Sequence, residues 1–148
     1  MSQKRILVVD DAPINLELLV GLLEEKYEVA AASTGDAALQ IAQSTNPPDL
    51  ILLDIVMPGK DGREVCRMLK ADIATAHIPI VFFSGKASDE ECDHCMELGG
   101  IAYLKKPVDA VSLFSICEII LPNKVDGVEQ NIPVSSCKTK NSENLSVD

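Results

Sequence analysis

Four places in this 148-residue chain set a reactive polar side chain directly after a short apolar run. Asp10 and Asp11 follow Ile6 to Val9, Asp54 follows Leu50 to Leu53, Ser84 follows Ile78 to Phe83, and Lys105-Lys106-Pro107 follows Ile101 to Leu104. If the runs are adjacent parallel strands, three carboxylates, a hydroxyl and an ammonium meet at one edge of a sheet. Carboxylates held that close repel one another, and some must protonate unless a cation joins them. A hard divalent ion resolves the conflict. Mg²⁺ takes oxygen ligands, keeps several waters, and commonly binds one or two carboxylates together with phosphate oxygens. A nearby lysine holds phosphate as a point charge, and a serine adds a neutral donor. The chemistry is therefore Mg²⁺-assisted phosphoryl transfer with an aspartate as nucleophile.

Each position alone has an ordinary reading. Asp at a strand end is most often a turn former, Asp11 could cap a helix, Ser84-Gly85 could be a plain turn, and Lys106 could be a solvated lysine. Their joint occurrence at four strand ends is what points to a site.

The elements that must position them follow from the pattern. Arg5 to Val9 reads as a buried strand. Pro13 suits a first helical turn, and Ile14, Leu16, Leu18, Leu19, Leu22 and Leu23 continue at helical spacing to Lys26. Glu28 to Ala32 is a weaker strand, and Thr34 caps a helix running to Ser44. Leu50 to Leu53 is a third strand. Asp61 and Glu64 form a capping box for the next helix. Ile78 to Phe83 is a fourth strand. A second capping box at Ser88 and Glu91 opens a helix that Gly99-Gly100 stops. Ile101 to Leu104 is a fifth strand, and a last helix ends before Pro122. Five strands alternating with five helices predict a doubly wound α/β sandwich with a five-stranded parallel sheet. Sites in such sheets lie at the carboxyl ends of the strands, near a topological switch point.

Composition bounds the function. The chain carries 13 basic and 23 acidic residues, a formal net charge of −10, which excludes generic nucleic-acid binding and favours a bound cation or basic partners. With aromatics at 3%, the core must be aliphatic. No apolar run has the length of a membrane helix or a signal peptide. Five cysteines without a secretory signal predict reduced thiols and a cytoplasmic location. Residues 1–121 form the expected domain. Residues 122–148 are polar, punctuated by Pro122 and Pro133, and are expected to be a flexible tail.

At this point the residues resemble a response-regulator receiver domain of two-component signal transduction, over about residues 4–121. The carrying motifs are Ile6 to Asp11, Asp54-Ile-Val-Met-Pro-Gly-Lys-Asp-Gly62, Val81 to Gly85, and Gly99 to Pro107. The resemblance implies a flavodoxin-like fold. It makes Asp54 the phosphoacceptor, with Asp11, Asp54 and the backbone carbonyl of Val56 as Mg²⁺ ligands and Asp10 acting mainly through metal-bound water. Lys106 would contact the phosphoryl group, with a cis Lys106–Pro107 bond, while Lys105 points to solvent. Ser84 would be the switch hydroxyl and Tyr103 the switch aromatic. Departures from the family pattern are Gly85 and Gly100, each where Ala is usual. Apolar Val56, two residues after the acceptor, and Lys86, two after Ser84, hold positions that influence hydrolysis of the phosphoryl group.

The resemblance implies a phosphoprotein that takes its phosphoryl group from a histidine kinase and signals by protein contact. It implies no enzyme beyond its own Mg²⁺-dependent phosphorylation and dephosphorylation. The contact face would be helix 4, strand 5 and helix 5, for a downstream protein or a second copy in a homodimer. A phosphorelay intermediate that passes phosphate to a histidine phosphotransfer protein, or a receiver fragment of a larger regulator, are the alternatives. A haloacid-dehalogenase-type phosphatase is set aside because Val56 stands where a second Asp is needed, and a P-loop is absent. Cys92, His94 and Cys95 offer too few local ligands for zinc and read as helix residues. The last helix, with only Asp109 and Glu118 charged, is apolar on more than one face; either the tail folds over it or a partner does.

Overall fold

The computed structural model describes residues 4–85, 89–121 and 137–139. Its elements, in chain order, are β1 (Arg5–Val9), α1 (Pro13–Leu23), β2 (Glu28–Ala32), α2 (Gly35–Ala42), β3 (Leu50–Asp54) and α3 (Gly62–Ala71). There follow β4 (Ile80–Ser84), α4 (Asp89–Glu97), β5 (Ala102–Lys105), α5 (Ala110–Ile120) and β6 (Cys137–Thr139). The sheet order is β2-β1-β3-β4-β5-β6. The first five strands are parallel, and β6 joins β5 antiparallel. The order reverses at β1, so the crevice between the carboxyl ends of β1 and β3 is the switch point at which such sheets bind ligands.

Burial explains the strand sequences. Every residue of β3 and β4 is buried, as the unbroken apolar runs require of strands covered on both faces. Alternate residues feed two cores. Leu7, Val9, Ile51, Leu53, Phe82 and Tyr103 pack with α2, α3 and α4, whereas Ile6, Val8, Leu52, Val81, Phe83 and Leu104 pack with α1 and α5. β2 at the edge is the most exposed of the parallel strands, which accounts for its weak apolar signal.

The helix starts follow capping chemistry. The Thr34 hydroxyl accepts from the Ala37 amide at 3.1 Å, Asp61 from the Glu64 amide at 3.1 Å, and Asp109 from the Ser112 amide at 3.0 Å. Pro13 opens α1, whose N-cap Ala12 has no side-chain cap, so Asp11 is left for other work. The expected box at Ser88 and Glu91 lies outside the described residues. β4 begins two residues later than expected, because Ile78 is buried in the turn after α3, where the Lys70 ammonium donates to the Ala76 and Ile78 carbonyls at 2.9 Å. Most of the expected tail also lies outside the described residues; its residues 137–139 form the strand β6, which periodicity does not announce.

Candidate functional site

The site grows from the ends of β1, β3 and β5. Val9 pairs with Leu53, so Asp10 and Asp54 emerge side by side where the ladder stops. Asp10 is fully buried, Asp54 is 2% exposed, and Asp11 faces solvent. One ligand oxygen from each of the three carboxylates lies within 4.8 Å of the others. Among the described residues this is the one group of three or more His, Cys, Asp or Glu side chains so gathered. Cys92, His94 and Cys95 do not form another: both thiols are buried in the core, while His94 and His77 are exposed.

Lys106 reaches the cluster from the turn after β5. Its ammonium lies 3.2 Å from Asp10 Oδ2 and 3.3 Å from Asp54 Oδ1, and 5.2 Å from the centre of the Phe83 ring. The Lys106–Pro107 bond is cis. The Lys106 amide donates to the Ser84 carbonyl at 2.9 Å, which ties the lysine to the end of β4. Lys105, one residue earlier, is exposed, as expected.

The electrostatics are unbalanced. Asp10 Oδ1 accepts from the Ala12 amide at 2.9 Å, but Oδ2 is buried without a hydrogen bond, with the Lys106 ammonium at 3.2 Å as its cationic neighbour. Burial first, and then the charge of Asp10, push the Asp54 carboxyl up to about 6, against the pull of Lys106. One ammonium does not offset three carboxylates. An orphaned buried oxygen and a carboxyl held back from ionising fit a hard cation with oxygen ligands. Asp10, Asp11 and Asp54 are the side chains gathered closely enough to hold it.

The other expected residues fall around this centre. Ser84 and Tyr103 are both buried, at the end of β4 and the middle of β5. Phe82 pairs with Tyr103, so by strand alternation Ser84 and Tyr103 share the face turned to α4. Val56 is 62% exposed beside Asp54 in sequence. Lys86 lies outside the described residues. Sequence reasoning missed Phe83, whose ring the lysine crosses; its place between Asp54, its neighbour in register, and Ser84 was the available signal. It also missed an apolar rim. Ile14 and Leu18 of α1 are 78% and 56% exposed, and Leu18, Leu19, Phe83, Pro107 and Val108 line a cleft of about 250 Å³ beside Lys106. The surplus of apolar positions in α1 carried that information.

Comparison with known proteins agrees with this geometry. The family profile described as "response regulator receiver domain" matches residues 6–118. The chain is 46% identical over 112 residues to the response regulator PleD of Caulobacter vibrioides, covering 75% of this chain and 24% of that protein. It is 36% identical over 120 residues to protein PilH of Pseudomonas aeruginosa, covering 79% of this chain and 97% of that one. The crystallised Vibrio cholerae chemotaxis protein CheY4 superposes with a TM-score of 0.76 at 26% identity, over 81% of this chain and all of that one. The chain spans about a quarter of the length of PleD and of a probable cyclic di-GMP phosphodiesterase from Vibrio cholerae that is 41% identical over 124 residues. With the profile and these relatives in agreement, the chain belongs to the response regulator receiver family.

Proposed function

We propose that the chain accepts a phosphoryl group on Asp54 from a phosphohistidine, with Mg²⁺ bound, and signals the change by protein contact. The observation that carries this reading is the convergence of Asp10, Asp11 and Asp54 with the Lys106 ammonium at the switch point of the sheet. An Asp54 oxygen attacks phosphorus, the bond from phosphorus to the donor imidazole nitrogen breaks, and an acyl phosphate forms on Asp54. Asp54 must be ionised to attack, and a carboxyl at about 6 is mostly ionised at neutral pH. A bound Mg²⁺ supplies positive charge to the phosphoryl oxygens. Lys106 supplies a second cation, and the Phe83 ring lies beneath its ammonium.

The apolar rim suits the donor. Ile14, Leu18 and Val56 are exposed around an otherwise acidic site, and the cleft beside Pro107 takes an apolar side chain. A histidine-bearing helix from a kinase or a phosphotransfer domain fits such a surface. Once phosphorylated, Asp54 carries new charge and acceptor oxygens. Ser84 moves to meet them, and Tyr103, on the same sheet face, repacks in response.

Intact mass after incubation with acetyl phosphate tests the reading. The expected result is one phosphoryl adduct that requires Mg²⁺ and is absent in Asp54→Asn. An adduct of equal size in Asp54→Asn overturns the assignment of the acceptor.

A further inference from the structure

β5 is the last parallel strand of the sheet, and all three of its leading residues, Ala102, Tyr103 and Leu104, are buried. Its outer edge would present unpaired amides and carbonyls, a ready template for another strand. The edge is taken by the chain itself: Cys137, Lys138 and Thr139 lie antiparallel opposite Leu104, Tyr103 and Ala102. The position is a notable one. α4 packs against one face of β5 and α5 against the other, and the strand runs through Tyr103 directly to Lys106.

We propose that the β5 edge is a strand-accepting surface that the segment around Cys137–Thr139 occupies in cis, so that any partner adding a strand there must first displace this segment. Three observations support it. The pairing is in register along three consecutive residues. The sequence at this strand is basic, with Lys138 in it and no acidic residue among its three, whereas residues 1–121 hold 10 basic and 19 acidic residues, so charge favours its return. The pairing is short, and a tether gives the segment a local concentration in the millimolar range, enough to hold a weak contact without making it permanent. The partner that fits is an extended, basic or neutral segment, recognised by its main chain. This goes beyond the phosphoryl reading and is tested on the unphosphorylated, metal-free chain, so the two can fail separately.

In an antiparallel ladder the inward-facing amides alternate, so either Lys138 or the pair Cys137 and Thr139 bonds to β5. The variants Lys138→Pro and the double variant Cys137→Pro/Thr139→Pro therefore cover both phases. Amide hydrogen exchange across Ala102–Lys105 is the first readout. The full chain is expected to show slow exchange that is independent of protein concentration, and at least one variant to exchange roughly tenfold faster. Unchanged exchange in both variants overturns the proposal, as does protection that is lost on dilution, which would place the strand in a second copy. The second readout is binding of a labelled peptide of residues 133–142. At least tenfold tighter binding to the released variant than to the full chain is expected, and equal binding to both overturns occupancy in cis.

Discussion

Asp54 shows what a residue sacrifices for its role. Its carboxyl is buried beside Asp10 and is held up at about 6, whereas an unfolded Asp ionises near 4. The folded state thus keeps the proton to higher pH. The stability associated with this group is fully present below about pH 4 and is lost as pH rises through about 6. Asp54→Asn removes the conflict. In metal-free buffer at pH 7 the variant is expected to be more stable than the parent by about 1–3 kcal/mol, and by almost nothing at pH 4. Urea unfolding at the two pH values checks both the gain and its disappearance. Bound as proposed, Mg²⁺ would relieve the same repulsion from outside. At a hundredfold excess over its Kd it is expected to add about 2.7 kcal/mol to the parent, seen as a raised Tm. Asp11→Ala, which removes an exposed ligand while leaving the buried pair, is expected to lose most of that rise. The charged members of the site were legible because each is the first or second polar residue after an apolar run. Phe83 was not, because its role depends on the path of the Lys106 stem, which no pattern of residue types records.

At the scale of elements, the loops that carry the site are held by close backbone approaches. The Gly62 amide donates to the Ile55 carbonyl at 2.7 Å, closing the loop from Asp54 onto the start of α3. A Cβ on Gly62 would overlap the Asp54 carbonyl oxygen and stand 2.9 Å from Ile55 Cα, both backbone atoms that cannot swing away. Gly62→Ala is expected to destabilise by about 3 kcal/mol and to weaken Mg²⁺ binding by displacing Asp54. Thr34→Ala, which removes a helix cap but no charged group of the site, is expected to lose about 1 kcal/mol with a far smaller change in Mg²⁺ affinity. Thermal melts with and without Mg²⁺ separate the two effects. Two helix starts were legible here because Thr34 and Asp61 each accept a specific amide; the last helix was placed by Pro107, and its Asp109 cap was not read. The start of β4 was not, since Ile78 is equally apolar and equally buried whether it lies in a strand or in the turn clipped by Lys70. β6 escaped for a different reason: three residues of mixed type have no period, and a strand that short is defined by the edge it joins.

The whole molecule is one sheet with two cores, and its cysteines report on both. Cys66, Cys92 and Cys95 lie in the layer of α3 and α4, and Cys117 lies in the layer of α1 and α5. All four are buried thiols outside any disulfide, and burial pushes Cys117 up to about 12. Native chain is expected to resist alkylation at these four, and pulse labelling across a urea series is expected to expose both layers at one midpoint. Two midpoints would mean that the layers open separately. The parallel sheet and its strand count were legible because buried strands and capped helices alternate along the chain; the closing antiparallel strand was not. That strand is also the last of the described elements in chain order. A chain cut between Leu121 and Cys137 keeps every parallel strand and loses only the strand that closes the sheet, so a proteolytic nick there turns a covered edge into a bare one and makes the clipped product, rather than the intact chain, the species prone to joining its neighbours.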